Sequence, residues 1–537
     1  MDFIDEHDVA AFRNSGQFDE QWYVEQYPDV KIVGMDPAKH FLWLGARLGR
    51  RPSPLGHAST VASGPVPNPT GASNEPADRT PGKTKGVRAA IQRLHGAVDT
   101  RNALRTLTPK LRRKIRESGL FEEDYYRSRY AELILHSDDL LADYICSFQT
   151  DLTRDPGPLF STRHYLDIHP DVRDMHPLIH YVQYGMNEGR AAFCPEKVNA
   201  FLSSVADLSL ETISSIVPID RPVNIFYWNE GNFFFTDVAR FLEQLLNEQG
   251  YHATLRTGLL GAGSGDALNL VVAPHEFCEL GPGRHWTADQ YADAVYVNTE
   301  QWQTSWFALS MKFAKQSSRG VLDLNPSSAQ GLVKLGLKAA FLPLLPLPGS
   351  CFDFSGTRSL SEHVTRLKFI GSLDFPTDFH ERDYDLICCG VLNERRGKAL
   401  ARLAPVLSAY RCFIHMPRFN RPIKPGEPDV LAAADFAQIA RNSKIMLNIH
   451  QGESHYLEWQ RVFLVGMMSG AVVVSEPCYA NDFVQPNVHY IEARLEDMPR
   501  VVADLLSTED GRRRMSEIHA NVTGLRDAIA AGERFMA

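Results

Sequence analysis

IARNSKIMLNIHQGESHYLEWQRVFLVGMMSGAVVVSE, residues 439–476, holds two short apolar runs on either side of one helical pattern. The first run, Lys444 to Ile449, reads as a strand and opens into a polar loop with His450, Glu453 and His455. A helix follows with Glu458 and Arg461 one turn apart, then a Ser469-Gly470 break, then a second strand ending at Ser475-Glu476. A strand–helix–strand unit of this length implies parallel pairing. In an open α/β sheet, ligands bind beyond the carboxyl ends of the strands. Both strand ends here carry ionisable or ring side chains.

Working outward, the same alternation begins near residue 221. VNIFYW (223–228), LNLVVAP (268–274), AVYVNTE (294–300), GVLDLN (320–325) and AAFLPL (339–344) read as strands with helical patterns between several of them. A second set runs through DLICCGVLN (385–393), CFIHM (412–416), KIMLNI (444–449), AVVVS (471–475) and HYIEA (489–493). Two such sets, joined near PLLPLPG (343–349), predict an α/β fold of two Rossmann-like domains, 215–348 and 349–537, facing one cleft. A final helical stretch, 508–534, is expected to cross back to the first domain.

The N-terminal part has another character. Aligning Phe18 with Phe160 superposes Tyr23 on Tyr165, Pro28-Asp29-Val30 on Pro170-Asp171-Val172, and, after a two-residue gap, His40 on His180. A third, eroded copy begins near Phe121. Each copy reads as two short helices joined by a turn around an aromatic core, a unit too small to stand without a neighbour. The expected organisation is a helical repeat at 1–54, a disordered linker at 55–85, basic amphipathic helices at 86–118 and two further repeats at 119–198. The linker is rich in Pro, Gly, Ser and Ala. Residues 83–116 carry eleven Lys or Arg and one acid, Asp99. Leu104, Leu107, Leu111 and Ile115 form an apolar stripe there, with Thr108-Pro109 starting a helix. Such a segment suits peripheral contact with an anionic membrane or an anionic glycan carrier. The favoured reading is a connector whose stripe packs on the repeats, since charge runs are usually solvated faces.

With 537 residues, 44% of them hydrophobic and 23% charged, the chain has ample core for several domains. No apolar run approaches the ~20 residues of a membrane-spanning helix, and MDFIDEHDVAAF lacks the features of a secretory signal. The eight cysteines show neither metal-ligand nor disulfide spacing. A cytoplasmic setting is the expectation. The net charge of −9 gives no reason to expect nucleic acid as a partner.

The pattern strand–NIH–loop–LExxR–helix–G–VVSE resembles the C-terminal domain of GT-B glycosyltransferases, and the YPDV units resemble short repeats found beside bacterial polysaccharide glycosyltransferases. The resemblance implies sugar transfer from a nucleotide-sugar donor to a hydroxyl on a glycan, glycolipid or glycoprotein acceptor, with no cofactor beyond that donor. Glu458 and Arg461 then belong to the donor site, where Arg461 suits a bidentate grip on phosphate. The Gly390–Lys398 segment, a glycine loop at a helix start, offers Arg396 and Lys398 to a pyrophosphate. His450 and Glu476, at strand ends, suit contacts with ribose or donor sugar. In the first domain His275 and Glu276 are candidates for the base that accepts the acceptor proton. The related E-x7-E pattern is broken: eight residues after Glu453 stands Arg461. Asp383-Tyr384-Asp385 precedes its strand, on the wrong edge for a ligand, so no bound metal is expected. Two other readings fit the same residues: an inactive scaffold that binds glycans or organises enzymes, and a nucleotide-sugar epimerase that needs no acceptor.

Overall fold

A computed structural model describes residues 6–26, 36–42, 51–53, 107–134, 138–148, 150–172, 175–258, 266–353, 378–418 and 430–530. The expected linker and most of the basic segment lie outside these residues. The chain divides into two compact units, Met1–Ala192 and Phe193–Ala537.

The described elements of the first unit are helical. Three aromatic clusters in it share one geometry. Phe18 meets Tyr23 at 5.3 Å between ring centroids, and Phe160 meets Tyr165 at 5.3 Å. The Tyr23 hydroxyl lies 3.1 Å from His40 Nδ1, and the Tyr165 hydroxyl 3.0 Å from His180 Nδ1. In the middle cluster Phe121 meets Tyr126 at 5.7 Å, and the Tyr126 hydroxyl donates to Asp143 at 2.9 Å. A carboxylate in place of an imidazole puts a charge in a buried site, which needs a counter-charge. Arg154 supplies it, 3.1 Å from the same Asp143 oxygen.

The helix Pro109–Ser118 starts on a Thr108 cap whose hydroxyl accepts the Leu111 N–H at 3.2 Å. It ends at Gly119 in the left-handed conformation, φ 68°. Leu107, Leu111 and Ile115 are buried, so this part of the apolar stripe packs inside the unit. Lys110, Arg113, Lys114 and Arg116 stay exposed.

The second unit contains two parallel sheets. The first is built from β1 (Val223–Phe226), β2 (Ala253–Arg256), β3 (Leu268–Val272), β4 (Ala294–Asn298), β5 (Gly320–Asp323) and β6 (Ala339–Phe341), in the order β2-β1-β3-β4-β5-β6. The second is built from β7 (Tyr384–Cys389), β8 (Cys412–His415), β9 (Ser443–Asn448), β10 (Val472–Ser475) and β11 (Ile491–Glu492), in the order β11-β10-β9-β7-β8. β3, β4 and β10 are buried along their whole length, as strands covered on both faces must be. β2 escaped the sequence reading because it is a half-exposed edge strand with little apolar content.

Both sheets reverse direction of winding at the same place, between first and third strands: β1/β3 in one, β7/β9 in the other. The loops leaving those strands diverge and open a crevice.

The helix Pro195–Ser204 belongs with the second unit. It packs on the helix Pro326–Lys334, with Phe201 5.6 Å and Phe193 6.1 Å from Trp302. The described part of the last helix, Glu509–Ala530, packs on the helix Met498–Ser507 and on β10 of the second sheet. The stretch expected to cross back runs on to residue 534, and its end lies outside the described residues.

Candidate active site

The switch point of the second sheet is bridged by an arginine. After β7 the chain turns at Gly390-Val391, and Asn393 caps the helix Glu394–Leu407 by accepting the Arg396 N–H at 2.8 Å. This places Arg396 between two strand ends, with 1% of its surface exposed. Its guanidinium donates to Val391 O beyond β7 at 3.0 Å and to Ile449 O beyond β9 at 2.9 Å. A third nitrogen reaches Glu458 at 3.2 Å.

Arg461 comes from the first turn of the helix Trp459–Met467, which is wound as a π-helix, a form enriched at functional sites. It donates to Cys389 O at 3.0 Å and pairs with the other oxygen of Glu458. Glu458 thus orders two guanidinium groups while neutralising one charge. Burial pushes Arg396 down to about 10, and burial followed by the Arg396 charge pushes Arg461 down to about 9. Both remain protonated near pH 7. Gly390 permits the approach: a Cβ there would lie 2.5 Å from one Arg461 nitrogen and 3.2 Å from one of Arg396.

The first sheet's switch point is bridged by a carboxylate. Glu276 lies just beyond β3, and its Oε2 accepts the Asn232 N–H, just beyond β1, at 3.0 Å. Gly231 leaves room for it, since a Cβ there would collide with that oxygen. The segment is introduced by Ala273 in the left-handed region, φ 51°, a conformation costly for a residue with a Cβ. Burial raises the Glu276 carboxyl to about 7. Glu300, two residues past β4, is also raised to about 7, by burial and then by the Glu276 charge. His275 lies between Phe235 and Trp306, with Nδ1 3.0 Å from the Ser310 hydroxyl and Nε2 3.5 Å from Glu300. Burial drops its imidazole to about 3, so it is neutral at physiological pH.

A cavity of about 370 Å³ lies between the two sheet edges. From the first half it takes Phe234, Thr299 and Gln301, the last two flanking Glu300. From the second it takes Gly390, Arg396, Glu458 and Arg461.

The structure gathers Arg396, Glu458 and Arg461 in one cluster and His275 and Glu276 in another. It separates the remaining candidates. Lys398 faces solvent, paired with Glu394 one turn back at 2.5 Å, and does not line the cavity. Residues 396 and 398 lie on different faces of their helix, so Arg396 turns inward and Lys398 outward. His450 is buried, with its Nε2 3.0 Å from Pro477 O, and burial lowers it to about 4. Glu476 accepts the His450 N–H at 2.8 Å and is gripped by both fork nitrogens of Arg395, at 2.8 and 2.5 Å. Burial alone would raise the Glu476 carboxyl, and the Arg395 fork outweighs it, holding it below its ordinary value. Arg395 also pairs with Glu453 at 2.7 Å. The sequence reading passed over Arg395. The signal for it was Arg395-Arg396 at a helix start, where only one of two adjacent side chains can turn into the cavity. Asp383 and Asp385 stand at the amino end of β7, tied to Asn442 at 2.9 Å and to Lys444 at 2.8 Å.

Two doubly wound parallel sheets with their carboxyl edges facing one cavity define the GT-B class of fold. No family model matches the chain, and no curated protein matches it. Among solved structures it is similar to Anabaena Alr3699/HepE, crystallised with UDP, at 9% identity over 58% of this chain and 99% of that one, with a TM-score of 0.32. An α1,3-fucosyltransferase is similar at 10% identity over 63% and 96%, TM-score 0.33. The DNA-modifying enzyme β-glucosyltransferase is similar at 13% identity over 58% and 97%, TM-score 0.33.

Proposed function

We propose that this protein transfers a sugar from a nucleotide-sugar donor to a hydroxyl acceptor, in the assembly of a surface polysaccharide or glycoprotein. The observation that carries the reading is the pair of buried guanidinium groups that line one cavity beside a single carboxylate. Arg396 and Arg461, with one shared carboxylate, leave a surplus positive charge at the second sheet's switch point. Such a surplus suits a diphosphate, which accepts from two forks at once. Glu276 and Glu300, raised to about 7, stand at the first sheet. Groups with pKa values near the working pH suit proton transfer.

In this reading the donor's diphosphate rests on Arg396 and Arg461, with Glu458 fixing both forks. The acceptor oxygen attacks the anomeric carbon, and the bond from that carbon to the diphosphate oxygen breaks. The electron pair leaves on the diphosphate, where the guanidinium charges stabilise it. The acceptor proton passes to the Glu276–Glu300 pair. His275, neutral and anchored by Ser310, positions Glu300. Glu476 and His450 act with Arg395 as supports of the β9 and β10 ends.

A thermal-shift screen with nucleoside diphosphates and their sugars tests the donor site, because ligand binding raises the melting temperature by mass action. A shift with one nucleotide, lost in Arg461→Ala, supports the reading. No shift with any nucleotide from well-folded protein would sink it and favour the scaffold.

A further inference from the structure

Beside its guanidinium groups, the cavity carries neutral hydrogen-bonding side chains that the proposed reaction does not use. Tyr456 lines it with 9% of its surface exposed. Thr299 and Gln301 line it from the first half. Tyr456 stands two residues before Glu458, on the loop that delivers the carboxylate shared by Arg396 and Arg461.

The backbone on either side of Tyr456 is tied down. Asn199 accepts the N–H of His455, and Asn325 donates to Leu457 O. Asn325 is itself fixed by Asp323, whose Oδ1 accepts the Asn325 N–H at 2.8 Å. The other oxygen of Asp323 accepts from Asn298 at 2.8 Å and from Ser328 at 2.6 Å. A ring held between two such ties is pre-organised for a ligand. Its hydroxyl, though the side chain is buried, has no hydrogen-bond partner among the described residues, which a native structure rarely tolerates without a use for it. Burial, and then the charges of Asp323 and Glu300, hold the phenol protonated far above its ordinary range, so that it can both donate and accept. Gln301 is alike: its Oε1 accepts from Gln303 at 2.8 Å, and its amide nitrogen has no partner among the described residues. A diphosphate calls for cations, which Arg396 and Arg461 supply. An uncharged phenol and amide match the hydroxyls of a sugar ring instead.

We propose that Tyr456 determines which sugar is transferred, its phenol hydrogen-bonding one hydroxyl of the donor's sugar ring. This role rests on the donor site proposed above and adds to it the selection of the sugar. A donor lacking that hydroxyl leaves the phenol unpaired in a buried site and is discriminated against.

The test is calorimetric titration of the full chain with UDP-glucose, UDP-N-acetylglucosamine, GDP-mannose, ADP-glucose and dTDP-rhamnose, each beside its nucleoside diphosphate. Tyr456→Phe keeps the buried ring and removes one oxygen, so its melting temperature should hold. The variant should bind the preferred nucleotide sugar about three- to tenfold more weakly, the loss of one neutral hydrogen bond, and the diphosphate alone as the wild type does. Monodeoxy forms of that sugar locate the contact. One of them should bind the wild type more weakly by the same factor, with no further loss in Tyr456→Phe. Unchanged affinity for the nucleotide sugar, an equal loss for the bare diphosphate, or additive losses with every monodeoxy form would overturn the role of Tyr456 and leave the donor site standing. Wild-type protein that binds neither diphosphates nor their sugars would overturn both.

Discussion

Asn199 accepts the backbone N–H of His455 at 3.0 Å, across 256 residues of sequence. The same side chain donates to Glu453 O at 2.9 Å, and its oxygen takes the Tyr479 hydroxyl at 2.7 Å. Asn199 lies on the helix that packs against the first sheet's domain, whereas the loop it holds ends at Glu458. Asn325 adds a second tie, donating to Leu457 O at 3.2 Å. The carboxylate that orders both cavity arginines is therefore held in place from the other half of the cleft.

Removing that tie should loosen the loop more than the fold. Asn199→Ala is expected to cost about 1–2 kcal/mol of stability, from its three lost hydrogen bonds, none of them fully buried. It should also weaken nucleoside diphosphate binding several-fold. Urea unfolding and the nucleotide thermal shift check the two effects separately.

Arg461 and Lys398 should behave oppositely. Arg461→Ala loses a charge-assisted grip, about 1.5–3 kcal/mol, or roughly ten- to a hundredfold in nucleotide affinity. Lys398→Ala, which breaks a surface pair with Glu394, should leave both affinity and stability essentially unchanged. Calorimetric titration of the two variants with the nucleotide found in the screen compares them directly.

The Glu276–Glu300 pair predicts a pH profile. With both carboxyls raised to about 7, transfer should rise as pH increases through that region, because the proton acceptor must be ionised. The two groups interact, so the rising limb reports the pair. Stability should move the other way: a folded-state pKa above the unfolded value stabilises below about 4.5, and this contribution is lost as pH climbs through about 7. Glu300→Gln should flatten both curves, and a rate profile together with thermal unfolding between pH 5 and 8 measures them.

Glu476 carries the opposite sign. Its carboxyl is held below its ordinary value in the folded protein, so its contribution is present above the unfolded pKa and fades as pH falls through the folded one. Glu476→Gln leaves Arg395, among the described residues, with Glu453 alone as an acidic partner and should cost about 2–4 kcal/mol. Chemical denaturation at neutral pH gives the loss, and its shrinkage in acid gives the sign.

If guanidinium groups meet the charge of the departing diphosphate, removing metal should not stop transfer. Activity in excess chelator is expected to match activity without it within about twofold. Loss restored by added magnesium or manganese would contradict the proposed roles of Arg396 and Arg461.

Much of the architecture was legible in the residues. Val-, Ile- and Leu-rich runs such as Val472–Ser475 have one compatible environment, a strand covered on both faces, and the helices between them force parallel pairing. Tyr23 with His40, and Tyr165 with His180, matched in sequence before they matched in space. Local signals of this kind depend on near neighbours, which a single chain reading contains.

The site was legible only in part. Sequence could place Arg395, Arg396 and Lys398 at one helix start, but side chains at these three positions point in different directions around a helix axis. Which one bridges β7 and β9, which one holds Glu476 and which one meets water follow from where the β9 and β10 ends arrive. The same holds for Glu276, whose partner Asn232 is brought beside it by the β1–β3 pairing, and for Asn199 and His455. Apolar periodicity and strand composition, being local, were determined by the sequence itself. The direction of each charged side chain and the partner that shifts its pKa depend on contacts distant in sequence, and only the tertiary structure decided them.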